Sequence, residues 1–97
     1  MTNTFETGIP VMTRGIADRI KEDTKFTAFV NKCLSRYLSC DWGDLDEDDA
    51  RANDAALKNG DDRILAAYKR EGFPEDKIWI ITEWDHSATT ILFPSEY

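Results

Sequence analysis

The sequence predicts a single α+β domain: a short N-terminal strand, three helices, and then a three-stranded antiparallel meander packed on the second helix. One segment in the first half repeats apolar residues at helical spacing, and three short segments in the second half are rich in β-branched and aromatic residues. A chain of 97 residues is long enough for one core and too short for two, so we expect residues 1–97 to form one domain.

The first two elements are short. Ile9 to Thr13 is an apolar run that contains Pro10, which has no N–H to give to a sheet, so this run predicts an edge strand or the entry to one. Thr13 is the candidate N-cap of a helix over Gly15 to Asp23.

The segment Thr24 to Ser39 has the clearest helical pattern of the chain. Its apolar residues recur at steps of three and four, which places them on one face of a helix. They are Phe26, Phe29, Val30, Cys33, Leu34, Tyr37 and Leu38. Burying one such large side chain contributes about 1.5–3 kcal/mol before entropic costs, so we expect this helix to anchor the core.

A third helix is predicted over Glu47 to Lys58. Asp46 precedes it as an N-cap, and Asp49 follows three residues later, as in an approximate capping box. Asn59 and Gly60 can end the helix with a left-handed cap.

The last third of the chain predicts three strands: Arg63 to Lys69, Lys77 to Trp84 and Thr89 to Phe93. The short connections between them favour hairpins, and the Ile9 to Thr13 run is available as a fourth strand. The first segment also fits a helical period, so a helix over residues 63–69 is the alternative there.

The segment Lys77 to Trp84 is apolar on both sides of its pleat, which is typical of a central strand covered on both faces. Ile78, Ile80 and Trp84 lie on one side, and Trp79 and Ile81 on the other. If the three helices cover only one face of the sheet, Trp79 and Ile81 become a contact surface for a partner or a second copy of the chain. If loops and the N-terminal segment cover them, no such surface exists.

Residues 41–62, which we call the acidic region, carry a net charge of −7, and the whole chain also carries −7. The remainder is balanced, with ten acidic and ten basic residues, so the acidity is local. The nine carboxylates are Asp41, Asp44, Asp46, Glu47, Asp48, Asp49, Asp54, Asp61 and Asp62. A purely structural explanation of this charge is a solvated helix start. Acids in the first turn of a helix are stabilised by about 0.3–1 kcal/mol each.

An acidic protein is repelled by nucleic acid and by anionic lipid, so we expect neither as a direct partner and expect a basic protein surface instead. The sequence has no run of about eighteen apolar residues and no secretory pattern at its start. Cys33 and Cys40 lie too far apart along one helix to form a disulfide. Together these features predict a cytoplasmic protein.

Enzyme and metal motifs are not found in the sequence. His86, the single histidine, falls in a predicted turn beside Asp85 and Ser87, and sequence neighbours on a turn do not converge as a nucleophile, a base and an orienting group must. We therefore predict a protein without catalytic activity and without a cofactor.

A calcium loop is suggested by the alternation of Asp44, Asp46 and Asp48. The match stops there, because Asp49 and Ala55 stand where such a loop requires Gly and a bidentate Glu. Only a weak divalent-cation site stays open as an alternative.

Three stretches carry a resemblance to a known family: Cys40-Asp41-Trp42-Gly43-Asp44-Leu45, Lys77 to Glu83, and Thr89 to Pro94. Through them the chain resembles a family of short uncharacterised proteins carried on bacterial plasmids and integrative conjugative elements. The resemblance implies a setting and no functional residue. Such elements carry small acidic inhibitors of host defence, including anti-CRISPR and anti-restriction proteins, several of which are DNA mimics.

Two functional hypotheses follow. The first is a non-enzymatic inhibitor whose acidic region imitates DNA phosphates and binds a basic surface of a nucleic-acid-handling defence protein, such as a CRISPR effector or a restriction complex. The second is a homodimeric accessory or regulatory protein of a mobile element, with its contact around Trp79 and Ile81.

Overall fold

The described residues form three α-helices and one four-stranded mixed sheet. A computed structural model describes residues 8–59, 63–70 and 72–97, with the backbone alone for residues 73–76. The helices are α1 (Arg14–Glu22), α2 (Thr24–Leu38) and α3 (Glu47–Asn59), and the strands are β1 (Ile9–Met12), β2 (Ile64–Arg70), β3 (Phe73–Thr82) and β4 (Ala88–Leu92). A 3-10 turn, Pro94–Glu96, follows β4. The predicted α+β class is confirmed.

The sheet has the strand order β1-β4-β3-β2. The strands β2, β3 and β4 pair antiparallel in sequence order, but β1 pairs parallel with β4. The sheet therefore has four strands and is mixed, which differs from the three-stranded antiparallel sheet expected from the sequence. A parallel pair needs a long crossover connection, and here the chain from α1 to β3 supplies it. Residues 64–70 form a strand, so the helical alternative for this segment is wrong.

The core lies between α2 and one face of the sheet. From α2, the buried side chains are Phe26, Val30, Cys33 and Tyr37, as the helical spacing predicted. The sheet supplies Ile64, Ala66, Tyr68, Ile78, Ile80 and Ile91. A buried chain of hydroxyls crosses this interface, because Tyr37 Oη lies 2.5 Å from Thr82 Oγ1, which lies 2.7 Å from Thr89 Oγ1. Each buried hydroxyl therefore keeps a hydrogen-bond partner.

The ends of β3 differ from the prediction. The strand begins at Phe73 and ends at Thr82, so most of the expected connection before it is strand. Thr82 takes a fully buried position through its hydroxyl bonds, whereas Trp84, expected on the buried side, lies beyond the strand and is 63% exposed. The apolar pattern alone did not predict the residue at which β3 ends.

The start of α1 is capped from the far end of the chain. The expected N-cap, Thr13, makes no side-chain capping bond. Instead the Glu96 carboxylate accepts hydrogen bonds from the Gly15 N–H (2.9 Å), the Thr13 hydroxyl (2.5 Å) and the Phe93 N–H (3.0 Å). None of the described helices is both long and apolar enough to cross a lipid bilayer.

Candidate functional site: the acidic region

The first part of the acidic region lies along the outer edge of β2. The Asp44 N–H donates to the Ala67 carbonyl at 2.7 Å, and the Ala67 N–H donates to the Trp42 carbonyl at 3.4 Å. Gly43 lies between them at φ +78°, where a Cβ would overlap the Ala67 carbonyl. The Asp44 carboxylate accepts the next outward N–H of the strand, that of Lys69, at 2.8 Å. Residues 42–44 therefore occupy a sheet edge that would otherwise be open to pairing with another strand.

Asn53 of α3 continues this coverage of the β2 edge. Its amide nitrogen donates to the Leu65 carbonyl (2.7 Å) and its amide oxygen accepts from the Leu65 N–H (3.2 Å), so one side chain imitates a neighbouring strand. Asn53 is 6% exposed. The sequence analysis did not predict this role of Asn53. The available signal was its position: Asn53 is a polar residue three positions from both Ala50 and Ala56, which places it on the inward side of the helix.

Asp41 is held by a basic residue from α2. Arg36 donates to its carboxylate from Nε at 2.8 Å and from a terminal nitrogen at 3.2 Å, and the Gly43 N–H adds a third bond at 3.1 Å. The hydrogen bond from Arg36 is the main reason why the pKa of Asp41 lies below its usual value. Part of the negative charge of Asp41 is thus neutralised within the fold.

Asp46 and Asp54 position α3. Asp46 Oδ1 accepts the Asp49 N–H at 2.9 Å, which confirms the predicted N-cap. Asp54 Oδ1 accepts the Trp42 indole N–H at 3.0 Å. Trp42 is itself buried and packs edge-on against Tyr37, with ring centroids 5.4 Å apart. These two carboxylates attach the helix to the loop before it and to the core.

The first turn of α3 presents the most exposed carboxylates. The side chains of Glu47 and Asp48 are 93% and 86% exposed, and both form ion pairs with Arg51 on the same helix. Asp49 is also exposed, and its carboxylate makes no ion pair with any described residue. Surface pairs of this kind contribute about 0–1 kcal/mol, so they leave the charges available to a partner.

The charge on the outward side of α3 is mixed. Arg51 lies four residues after Glu47, and Lys58 lies four residues after Asp54, so the two bases of the acidic region share the side of the helix that carries these acids. Asp49 lies on a different side of the helix, towards β2. Asp61 and Asp62 lie outside the described residues.

A cleft of about 290 Å³ opens between α3 and the start of β2. We call it the α3–β2 cleft; it is lined by Leu45, Asp49, Ala52, Asn53, Arg63 and Leu65. Four of these six residues belong to the acidic region, so the cleft lies within the candidate site.

The sheet face around Trp79 and Ile81 is largely covered by the chain itself. Ile81 is 5% exposed, and Trp79 is half-buried with the Tyr97 ring edge-on at 5.5 Å. By the strand register, Ile9 and Val11 of β1 lie on the same face, and they are 69% and 43% exposed. The exposed apolar surface on this face is therefore at its β1 end.

Within the described part of the chain, no three His, Cys, Asp or Glu side chains are placed to hold a metal ion. His86 is half-buried in the turn before β4, where it adopts a left-handed backbone conformation (φ 58°). No protein-family model matches this chain, and searches of the curated proteins and of the solved structures find no match either.

Proposed function

We propose that the protein is a non-enzymatic inhibitor that binds a basic surface of a nucleic-acid-handling host defence protein, such as a CRISPR effector or a restriction complex. The observation that carries the proposal is the confinement of the net charge of −7 to residues 41–62, together with the exposure of all seven carboxylates that are described there. A groove built to bind phosphates attracts such a surface over about one Debye length, roughly 8–10 Å in physiological salt.

The described carboxylates of the acidic region fall into two groups, one that stabilises the fold and one that is available for binding. Asp41, Asp44, Asp46 and Asp54 make hydrogen bonds that fix the loop and α3 in place. The first-turn acids Glu47, Asp48 and Asp49 have exposed carboxylates with no bond to another element among the described residues. In this proposal they compete with phosphates for the partner.

The test is a DNA-competition assay against candidate CRISPR effectors and restriction complexes at increasing salt. The triple variant Glu47→Gln, Asp48→Asn, Asp49→Asn should lose most of its competition. A matched variant, Asp18→Asn, Glu22→Gln, Glu83→Gln, makes the same change in charge at exposed positions elsewhere and should keep it. Equal losses for the two variants, or competition that does not weaken with salt, would contradict the proposal.

We also propose, as a second function, a homodimeric accessory or regulatory protein of a mobile element. It is favoured by one observation, the exposure of Ile9 and Val11 on the sheet face that also carries Trp79 and Ile81. Sedimentation velocity tests it directly: a stable monomer at micromolar concentration removes the dimer, and a dimer that Val11→Asp dissociates supports it.

A further inference from the structure

We propose that the α3–β2 cleft receives one arginine or lysine side chain of the partner protein. The aliphatic stem would pack on Leu45, Ala52 and Leu65, and the cationic head would pair with the Asp49 carboxylate. This inference rests on the proposed function, because it names the contact that anchors a basic surface to the acidic region.

The net negative charge of the acidic region around the cleft favours a cation, although the lining itself carries one carboxylate, Asp49, and one guanidinium, Arg63. Arg63, on its rim, donates from a terminal nitrogen to the Tyr97 hydroxyl at 2.6 Å, and its guanidinium lies 5.7 Å from the centroid of the Tyr97 ring. Both polar ends of the Asn53 amide are bonded to Leu65. The Asp49 carboxylate, which makes no ion pair with any described residue, is thus the acidic group of the lining that can pair with a cation.

The volume and lining of the cleft favour a long side chain over a small ion. The volume of about 290 Å³ is roughly ten times the volume that one water molecule occupies in the liquid. Leu45 and Leu65 are half-buried and contribute apolar surface to the lining. Arginine and lysine combine a methylene stem that covers apolar surface with a charged head, so they match a lining that combines leucine side chains with a carboxylate.

The experiment measures binding of a fluorescein-labelled hexa-arginine peptide by anisotropy, at low and at physiological salt. Asp49→Asn should weaken binding about tenfold, which is the loss expected for one partly desolvated charge pair. Asp48→Asn is the matched control: it makes the same change in charge one residue away, on the outward side of α3, and should weaken binding about twofold or less.

A second pair of variants tests the cleft without changing the charge. Ala52→Leu fills the cleft, whereas Ala55→Leu adds the same atoms at an exposed position of the same helix outside the lining. Leucine is a good helix former, so both variants should keep α3, and circular dichroism checks this. We expect Ala52→Leu to weaken binding and Ala55→Leu to leave it unchanged.

Equal effects within each pair would overturn the cleft as the anchor and leave the acidic-surface function standing. If the wild-type protein does not bind the peptide even at low salt, the proposed function fails together with the cleft.

Discussion

Cys40 has a backbone conformation that normally belongs to glycine. It lies just after α2 with φ 65°, where its N–H donates to the Tyr37 carbonyl and the Asp41 N–H donates to the Arg36 carbonyl. This is the Schellman arrangement, which places a left-handed residue directly after the helix. A Cβ in that conformation costs about 1–2 kcal/mol, so the bonds that end α2 persist against a local strain.

Two substitutions of Cys40 should therefore separate the effect of backbone strain on stability from the effect of losing the thiol. Cys40→Gly and Cys40→Ala both remove the thiol, but only alanine keeps the Cβ. We expect Cys40→Gly to exceed Cys40→Ala in free energy of unfolding by about 1 kcal/mol. Urea denaturation followed by tryptophan fluorescence measures the difference, and equal stabilities would show that the left-handed backbone is not strained by a Cβ.

At the scale of elements, one amide side chain, that of Asn53, covers the β2 edge at Leu65. Asn53→Ala leaves the Leu65 N–H and carbonyl without their partner, and an unsatisfied buried polar group costs about 1–3 kcal/mol. We expect a loss of about 2–3 kcal/mol in the free energy of unfolding. We also expect faster aggregation, because a free edge pairs with other chains.

The control is Asn31→Ala, which removes the same group from an exposed position on α2. Chemical denaturation and light scattering at rising concentration give the two readouts. A loss for Asn53→Ala no larger than that of the control would mean that water replaces the side chain at the edge.

The opposite edge of the sheet is protected differently. The N–H groups of Ile9 and Thr13 donate to the Ser87 and Ile91 carbonyls. The backbone N–H groups of the odd-numbered residues of β1 therefore point towards β4, and the nitrogen of Pro10 points away from it. Proline has no N–H to offer there, and this weakens the pairing of a further strand. The two edges thus limit pairing in different ways, one by coverage and one by a missing donor.

At the scale of the whole molecule, Glu96 joins the last turn of the chain to the start of α1. The hydrogen bond from the Thr13 hydroxyl, with further bonds from the N–H groups of Phe93 and Gly15, holds the pKa of Glu96 below its unfolded value of 4.5. A depressed folded pKa stabilises the native state above the unfolded pKa. That contribution is lost as the pH falls through the folded pKa.

Glu96→Gln should thus be less stable than the wild type at neutral pH, and the difference should shrink as the pH falls below 4.5. Thermal unfolding of both proteins between neutral pH and the lowest pH at which the fold persists measures this. A gap that stays constant on acidification would show that the carboxylate charge does not stabilise the contact.

The predictions that held were those that depend on residues close together in the sequence. The buried face of α2, the strands in the last third and the Asp46 cap follow from spacings of two to four residues, and the charge of the acidic region can be counted directly. The local excess of carboxylates that defines the candidate site is a matter of composition. Apart from the Asp46 cap, the contacts of the individual carboxylates were not predicted.

The sequence by itself determined the α+β class, the helix that anchors the core and the confinement of net charge to residues 41–62, because these depend on local periodicity and composition. Only the tertiary structure decided that β1 pairs with β4, that Asn53 covers the β2 edge and that Glu96 caps α1. Those contacts join residues far apart in the chain. Each satisfies backbone groups that the local helix or strand leaves unpaired, and no local pattern specifies which partner comes within reach.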